Sequence, residues 1–493
     1  VRYGLGLHTQ ALMQAHFPVN RDMLQRARRQ LAFEEMTLYQ AALQGMRCKA
    51  RRGVILQPDA CVAETFWGTL PFAPTGAQRR VVSEIWADLR SPAPMARLVQ
   101  GDVGCGKTAI AFCALYAAVC CGWQGVMMAP TEILATQHRQ SAIASLERLG
   151  VRCGLLTGKM SPAAKRAAHA SIASGDWQIV FGTHALISAS VHYARLGLVV
   201  TDEQHRFGVR QRTALSEKGD APNVLVMSAT PIPRTLALIL YGDLQVSIVD
   251  ELPPGRRPIQ TRVVPETRRA GLYGFLHAEA ARGRQAYIVC PLVEESEMLT
   301  DCQSAETMAE TLRSGPLADL RLGLVHGRMR AAEKEQTLEA FRTGALDVLV
   351  ATTVIEVGVN VPNATVMVIE NAERFGLSQL HQLRGRVGRG SESSWCFLMA
   401  EPNERLACMT ATQDGFQIAQ KDLEIRGPGE FLGTRQHGLP EMPALAGCED
   451  VQLLAQTQQA VRDVMQNPAL AQEADALLLA AQRRFAQTEL AMN

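Results

Sequence analysis

The stretch GDVGCGKT, residues 101–108, constrains this chain more than any other feature. It follows a short strand-like run (97–100) and precedes an uncharged, apolar stretch (109–124), so it reads as a glycine-rich turn between a strand and a helix. Glycines let backbone N–H groups wrap a phosphate, and the helix N-terminus adds positive potential there. Gly101, Gly104 and Gly106 supply the turn, Lys107 can reach terminal phosphates, and the Thr108 hydroxyl can hold Mg²⁺. Such a loop belongs at the carboxyl end of a parallel strand, which commits the chain to an α/β fold.

The rest of the sequence agrees. Short β-branched runs alternate with helical stretches at 97–100, 125–129, 178–182, 196–201 and 224–227, then again at 285–291, 322–325, 347–352, 365–369 and 395–399. Between the two series lies LPPGRRPIQT (252–261), whose prolines and glycine suit a hinge. The expectation is two tandem parallel-sheet P-loop domains, 61–255 and 256–403. N-terminal helices (1–60) lie ahead of them, and a Gly-rich segment with a helical tail (404–493) follows. No internal sequence repeat is evident, although two α/β halves are candidates for structural duplicates.

Composition excludes some classes. At 47% apolar and 20% charged residues the chain is neither disordered nor fibrous. Its twelve cysteines form no repeated C-x₂-C pairs, which argues against a zinc ribbon or disulfide scaffold and for a reduced, cytoplasmic setting. The uncharged stretch 109–124 is too short to span a bilayer comfortably and reads as a core helix. Net charge is +2, but residues 1–58 carry nine Lys/Arg against three Asp/Glu, a basic face for phosphate or simply for solvent.

A phosphate loop needs an acid and a cation. Asp202 and Glu203 follow the strand-like run 196–201; Asp202 can hold Mg²⁺ and Glu203 can act as general base toward water. QLHQLRGRVGRG (379–390) presents Arg384, Arg386 and Arg389 in the second half, where arginines on a separate domain can complete a hydrolytic site on closure.

Taken together, GDVGCGKT, APTEILATQH (129–138), GTHALI (182–187), DEQHRFGVRQR (202–212), SATPIPRT (228–235), HGRM (326–329), ATTVIEVGVNVP (351–362) and QLHQLRGRVGRG stand in the order of helicase superfamily 2. The chain resembles the RecG branch of that superfamily, ATP-dependent translocases that remodel branched DNA, from about residue 17 to about residue 440. The resemblance implies two RecA-like domains, ATP and Mg²⁺, and duplex or branched DNA (forks, four-way junctions) as partner. It also makes single-strand DNA-binding protein a candidate partner and the chain a monomer. LPFAPTGAQ (70–78) resembles the adenine-reading motif, with Gln78 as the adenine contact and Phe72 beside it. Gln382, Arg386 and Arg389 match the arginine-finger motif, and Gly358 and Asn360 lie near the ribose. Gln204, His205, Ser228 and Thr230 resemble coupling elements; Thr131, Gly182, Thr183, His184 and Thr352 resemble backbone contacts to DNA. DGFQIAQKDLEIRGPGEFLGTRQHG (414–438) resembles the translocation motif, in which Arg405, Arg426 and Gln436 would tie a helical hairpin to the motor. ARRQLAFEEMTLYQ (27–40) resembles the helix linking wedge and motor.

Departures matter too. Asn360 replaces the Asp of the family's Gly-Val-Asp-Val-Pro, which predicts slower coupled turnover; Cys105 in the P-loop should have little effect. His437 stands where Ser or Thr is common, and the link to Arg405 is short. The family's N-terminal wedge domain has no counterpart in these residues, so the expectation is an intact motor whose junction specificity resides elsewhere, in a longer protein or another chain. Two alternatives stay open: a duplex translocase that displaces bound proteins, and an uncoupled nucleotide-gated DNA-binding fragment.

Overall fold

The computed structural model describes residues 5–48, 53–202, 221–228, 244–253, 257–291, 298–352, 361–390, 392–426 and 451–485. Two sheets dominate, and every strand pair is parallel.

The first sheet contains β1 (Ala96–Gly101), β2 (Gln124–Met128), β3 (Cys153–Leu156), β4 (Ile179–Gly182), β5 (Leu196–Thr201), β6 (Asn223–Ser228) and β7 (Gln245–Val249), in the order β3-β4-β2-β5-β6-β1-β7. Its central strands are buried on both faces, as continuous apolar runs require under helices on each side. The helices of this half follow α1 (His8–His16) and α2 (Arg21–Cys48) in the chain: α3 (Ala60–Trp67), α4 (Gly76–Leu89), α5 (Lys107–Cys120), α6 (Glu132–Leu146) and α7 (Pro162–Ala173). The apolar stretch after the P-loop is α5, buried along most of its length against β2 and β5. Among the described residues, no helix is long and apolar enough to cross a membrane.

The second sheet contains β8 (Gln260–Val264), β9 (Gln285–Val289), β10 (Leu322–Val325), β11 (Val348–Ala351), β12 (Ala364–Ile369) and β13 (Trp395–Met399), ordered β10-β11-β9-β12-β13-β8. With it go α8 (Arg269–Ala281), α9 (Met298–Ser314), α10 (Ala331–Arg342) and α11 (Leu377–Arg384). The hinge is shorter than the sequence implied: residues 260 and 261 already pair in β8 against β13. The linker thus joins one edge strand, β7, to another, β8. Its first residues are held by α4, where Glu251 accepts from the Ala77 N–H (3.0 Å) and Asp250 pairs with Arg80 (2.7 Å).

The remaining helices are α12 (Glu404–Ala411), α13 (Gly415–Arg426), α14 (Val451–Gln466) and α15 (Ala471–Phe485). The pair α12 and α13 packs on α11. The tail pair returns to the other end of the chain and packs on α2. Ala41, Val461 and Ala481 form the small core there, Phe485 meets Tyr39 edge-on at 5.9 Å, and Arg29 donates to Gln456 (2.7 Å).

Candidate functional site

The P-loop leaves β1 at Gly101 and enters α5 at Lys107, with Gly104 and Gly106 at positive φ (81° and 88°). At Gly106 the left-handed backbone and the neighbours both exclude a side chain, since an added Cβ would lie 2.2 Å from Gln78 Nε2. Lys107 is buried, and its ammonium donates to the carbonyls of Gly101 (2.7 Å) and Asp102 (2.9 Å). The Thr108 side chain lies in the first turn of α5.

Gln78 closes a capping box with Thr75 at the start of α4 and donates through Nε2 to the Cys105 carbonyl (2.8 Å). Its buried amide therefore reads the loop from behind, while Phe72 is 39% exposed nearby in sequence.

Asp202 sits at the end of β5, separated from the P-loop strand by β6 alone. Its Oδ2 meets His138 Nε2 of α6 at 2.8 Å, which fixes the carboxylate's orientation. Thr131 caps α6 by accepting from the Leu134 N–H. Ser228 ends β6, and Gly182 ends β4 with the Leu156 carbonyl so close that a Cβ there would lie at 2.2 Å. Thr183 and His184 follow Gly182 directly. Four buried polar atoms at strand carboxyl ends have no hydrogen-bond partner among the described residues: the hydroxyls of Thr183, Thr201 and Thr352, and His326 Nδ1. They mark the edges where the two sheets offer donors and acceptors to something else.

The arginine-rich segment meets the P-loop. His381 Nε2 lies 2.5 Å from Asp102 Oδ1, and a Cβ on Gly385 would sit 2.9 Å from Val103 Cβ. Gln382 and Arg386 are buried in this segment, and Arg389 donates to the Gly385 carbonyl (3.3 Å). Burial pushes the Tyr287 hydroxyl up to about 12, with Arg389 and Arg386 pulling it the other way, so both guanidinium charges act on β9. Arg384 behaves differently from its neighbours: its guanidinium is committed to the carbonyls of Met409 (2.9 Å) and Thr412 (3.0 Å). Arg405, on α12, donates to the carbonyls of Glu373 and Phe375 (2.6 Å for the latter).

Glu203, Gln204, His205, Thr230, Gly358, Asn360 and Gln436 lie outside the described residues, as does the side chain of Arg426. Sequence reasoning missed His138, His381 and Asp102. The first two stand inside recognised motifs but carry no spacing that names a partner, and the third occupies an open position of the P-loop pattern.

The donor set fits a nucleoside triphosphate with its cation. Backbone N–H groups and Lys107 would hold phosphates, and the oxygens of Thr108 and Asp202 would hold Mg²⁺, a hard cation that takes oxygen ligands.

Three family profiles match the chain: DEAD/DEAH box helicase over 75–239, helicase conserved C-terminal domain over 269–391, and ATP-dependent DNA helicase RecG, domain 3, C-terminal over 412–489. The ATP-dependent DNA helicase RecG of Synechocystis sp. is 50% identical over 463 residues, covering 92% of this chain and 56% of that protein. Its Bacillus subtilis counterpart is 45% identical over 486 residues, covering 97% of this chain and 71% of that protein. In three dimensions the chain is similar to the RecG of a structure of RecG bound to a three-way DNA junction. The TM-score is 0.77 at 43% identity, over 91% of this chain and 59% of that one. The chain thus spans little more than half the length of two of these three relatives.

Proposed function

Since the chain belongs to the RecG family of ATP-dependent DNA helicases, we propose that it is an ATP-driven motor that moves on duplex DNA and remodels branched DNA such as forks and four-way junctions. The observation that carries this reading is the contact between the P-loop tip of one α/β domain and the arginine segment of the other, Asp102 with His381 at 2.5 Å. A hydrolytic site divided between two domains converts nucleotide state into relative domain position, which is what stepping needs.

In this reading the motor comprises residues 61–255 and 256–403. Lys107 and the loop N–H groups bind the phosphates, and Gln78 and Phe72 flank the base. Asp202, oriented by His138, and Thr108 hold Mg²⁺, which when bound neutralises charge on the phosphates. Glu203 takes a proton from the attacking water, and Arg386 and Arg389 meet the charge that develops on the phosphoryl group, with Gln382 beside them. Phosphate contacts from Thr131, Thr183, His184 and Thr352 would grip DNA of any sequence. A cytoplasmic, monomeric protein working beside single-strand DNA-binding protein completes the proposal.

The test is the steady-state ATPase rate of this chain with no DNA, single strands, linear duplex and a four-way junction. Stimulation by linear duplex and junction alike supports the motor and assigns junction specificity to other parts of the protein. A preference for the junction places branch recognition within these residues, and no stimulation by any DNA overturns the reading. Glu203→Gln separates the motor from a nucleotide-gated clamp, because only an enzyme loses turnover while keeping ATP binding.

A further inference from the structure

The P-loop pattern leaves Asp102 and Val103 open, and these two residues touch the other domain. Asp102 Oδ1 accepts from the Val103 N–H (2.6 Å) and from His381 Nε2 (2.5 Å). His381 is 3% exposed, and its other nitrogen, Nδ1, lies 2.9 Å from an Arg384 NH2 group. A guanidinium has donors only, so Nδ1 accepts and the ring hydrogen sits on Nε2, aimed at Asp102. The direction of donation is thereby fixed, from Arg384 to His381 to Asp102.

At its far end Arg384, 2% exposed, donates to the carbonyls of Met409 (2.9 Å), Thr412 (3.0 Å) and Gln413 (3.3 Å). These belong to the end of α12 and the turn into α13, where a helix runs out of internal donors for its last carbonyls. Gln413 in turn brackets Ile259 at the entry to the second sheet, accepting its N–H (3.1 Å) and donating to its carbonyl (3.2 Å). One continuous chain of hydrogen bonds, buried at His381 and Arg384, therefore runs from the P-loop, through the arginine segment, to the α12–α13 turn and the inter-domain linker.

We propose that this chain is a relay that couples the P-loop to the α12–α13 turn, with His381 as the positioning residue. The inference rests on the motor reading above. His381 and the two arginines share one continuous segment, so the register of His381 on Asp102 sets where Arg386 and Arg389 stand relative to the loop. The Lys107 ammonium holds the Asp102 carbonyl at 2.9 Å. When that ammonium turns to a phosphate, the Asp102 backbone is released, and the loop can then shift its hold on His381. Arg384 passes the shift to the carbonyls of the turn.

Two substitutions divide the relay. His381→Asn places its amide near the Nδ1 position, keeping an acceptor for Arg384 but losing the donor to Asp102; His381→Gln carries a donor out to the Nε2 position but loses the acceptor for Arg384. The loss of one hydrogen bond to a charged group sets the scale, about tenfold. Each substitution is expected to lower the DNA-stimulated kcat about tenfold, with KM for ATP and the melting temperature little changed, because each cuts one of the two links. DNA-stimulated turnover of His381→Asn equal to wild type overturns the relay. So does turnover of His381→Gln equal to wild type, or a loss confined to KM or to melting. If His381→Asn does not fold, Asp102→Ala, which removes the acceptor, must reproduce the loss in DNA-stimulated kcat, and an unaltered rate overturns the proposal. A wild-type chain that DNA fails to stimulate refutes the motor reading itself, a result distinct from a stimulated wild type with an equally stimulated His381→Asn.

Discussion

Gly385→Ala inserts a single methyl group at the seam between the two domains. Gly385 has helical φ and ψ (−67°, −5°), so alanine suits its backbone. The new Cβ would lie 2.9 Å from Val103 Cβ and 3.0 and 3.1 Å from its two Cγ atoms. No rotation of Val103 relieves this, because Cβ itself is the nearest atom. Carbon atoms rest at about 3.5–4.0 Å, so the P-loop tip and the arginine segment must part by roughly 0.8 Å. A misplacement near 1 Å costs about 10²-fold in rate, or about 2.7 kcal/mol in the barrier. Stability should fall by less than this, because the conformational freedom that alanine removes from the unfolded chain, worth about 0.5–1 kcal/mol, offsets part of an overpacking cost of about 1–3 kcal/mol. The assay pairs DNA-stimulated ATPase with thermal unfolding. Gly271→Ala is the control: nothing lies within 4 Å of an added Cβ there, so it should stabilise without slowing. Gly385→Ala with wild-type turnover refutes the claim that this contact belongs to the productive geometry. A loss of stability as large as the loss in the barrier refutes it as well, by showing damage to the fold.

Asn360→Asp should raise coupled turnover by restoring the carboxylate expected beside the ribose; ATPase and translocation rates equal to wild type would sink that reading. Phe485→Ala removes a ring 2% exposed against Tyr39, a loss of about 3–5 kcal/mol, so α15 should become cleavable by trypsin under native conditions. An unchanged digestion pattern counts against docking of the tail on α2. Burial raises the Cys153 thiol to about 11 and those of Cys290 and Cys396 to about 12, so mass-mapped alkylation at pH 8 should label exposed Cys61 and leave these three intact. Arg321 donates to Asp347 at 3.0 Å (Nε) and 2.5 Å (NH2) and holds its carboxyl below the usual range. The folded value is the lower one, so this tie stabilises at neutral pH and is lost as pH falls through it. The melting difference between wild type and Asp347→Asn should therefore be present at pH 7 and shrink as pH falls below the usual carboxylate range, and a difference that does not shrink refutes the assignment.

What the sequence made legible follows from where each element sits in its sheet. All ten strand-like runs it displayed became strands, most of them central and covered on both faces. Among the described residues, the three strands it hid, β3, β7 and β8, are all edges. An edge strand pairs on one side only, so QVSIV and QTRVV carry polar residues that disguise them, and QTRVV merges with the proline-rich linker before it. The site divides along similar lines. The P-loop and the arginine segment are local patterns whose chemistry is written in consecutive residues. The His138–Asp202 and His381–Asp102 contacts join residues 64 and 279 positions apart, and nothing local to either partner specifies the other.

The two halves hide a deeper relation that no sequence repeat displays. Gln124 and Gln285 each open a strand and donate through Nε2 to a carbonyl near the end of a helix (Ile172, Phe341) and to one before the next strand (Trp177, Leu346). Lys165 and Lys334 each donate at 2.6 Å to a glycine carbonyl, Gly158 in TGKM and Gly327 in HGRM, at the carboxyl end of β3 and β10. The N–H groups of Arg152 and Arg321 meet the side chains of Gln178 and Asp347 at the matching strand starts. A core accepts any residue of similar volume, whereas these bonds keep the donor and acceptor types that fix loop positions, even where Asp347 stands for Gln178 with a shorter reach. Both units therefore present their strand carboxyl ends in the same way. In the proposed motor the first unit supplies the phosphate loop and the second the arginines, so neither unit alone would complete the hydrolytic site. Chemistry in such a pair depends on how the units are held against each other, and that makes the Asp102–His381 and Val103–Gly385 contacts the places where a small perturbation should have its largest effect.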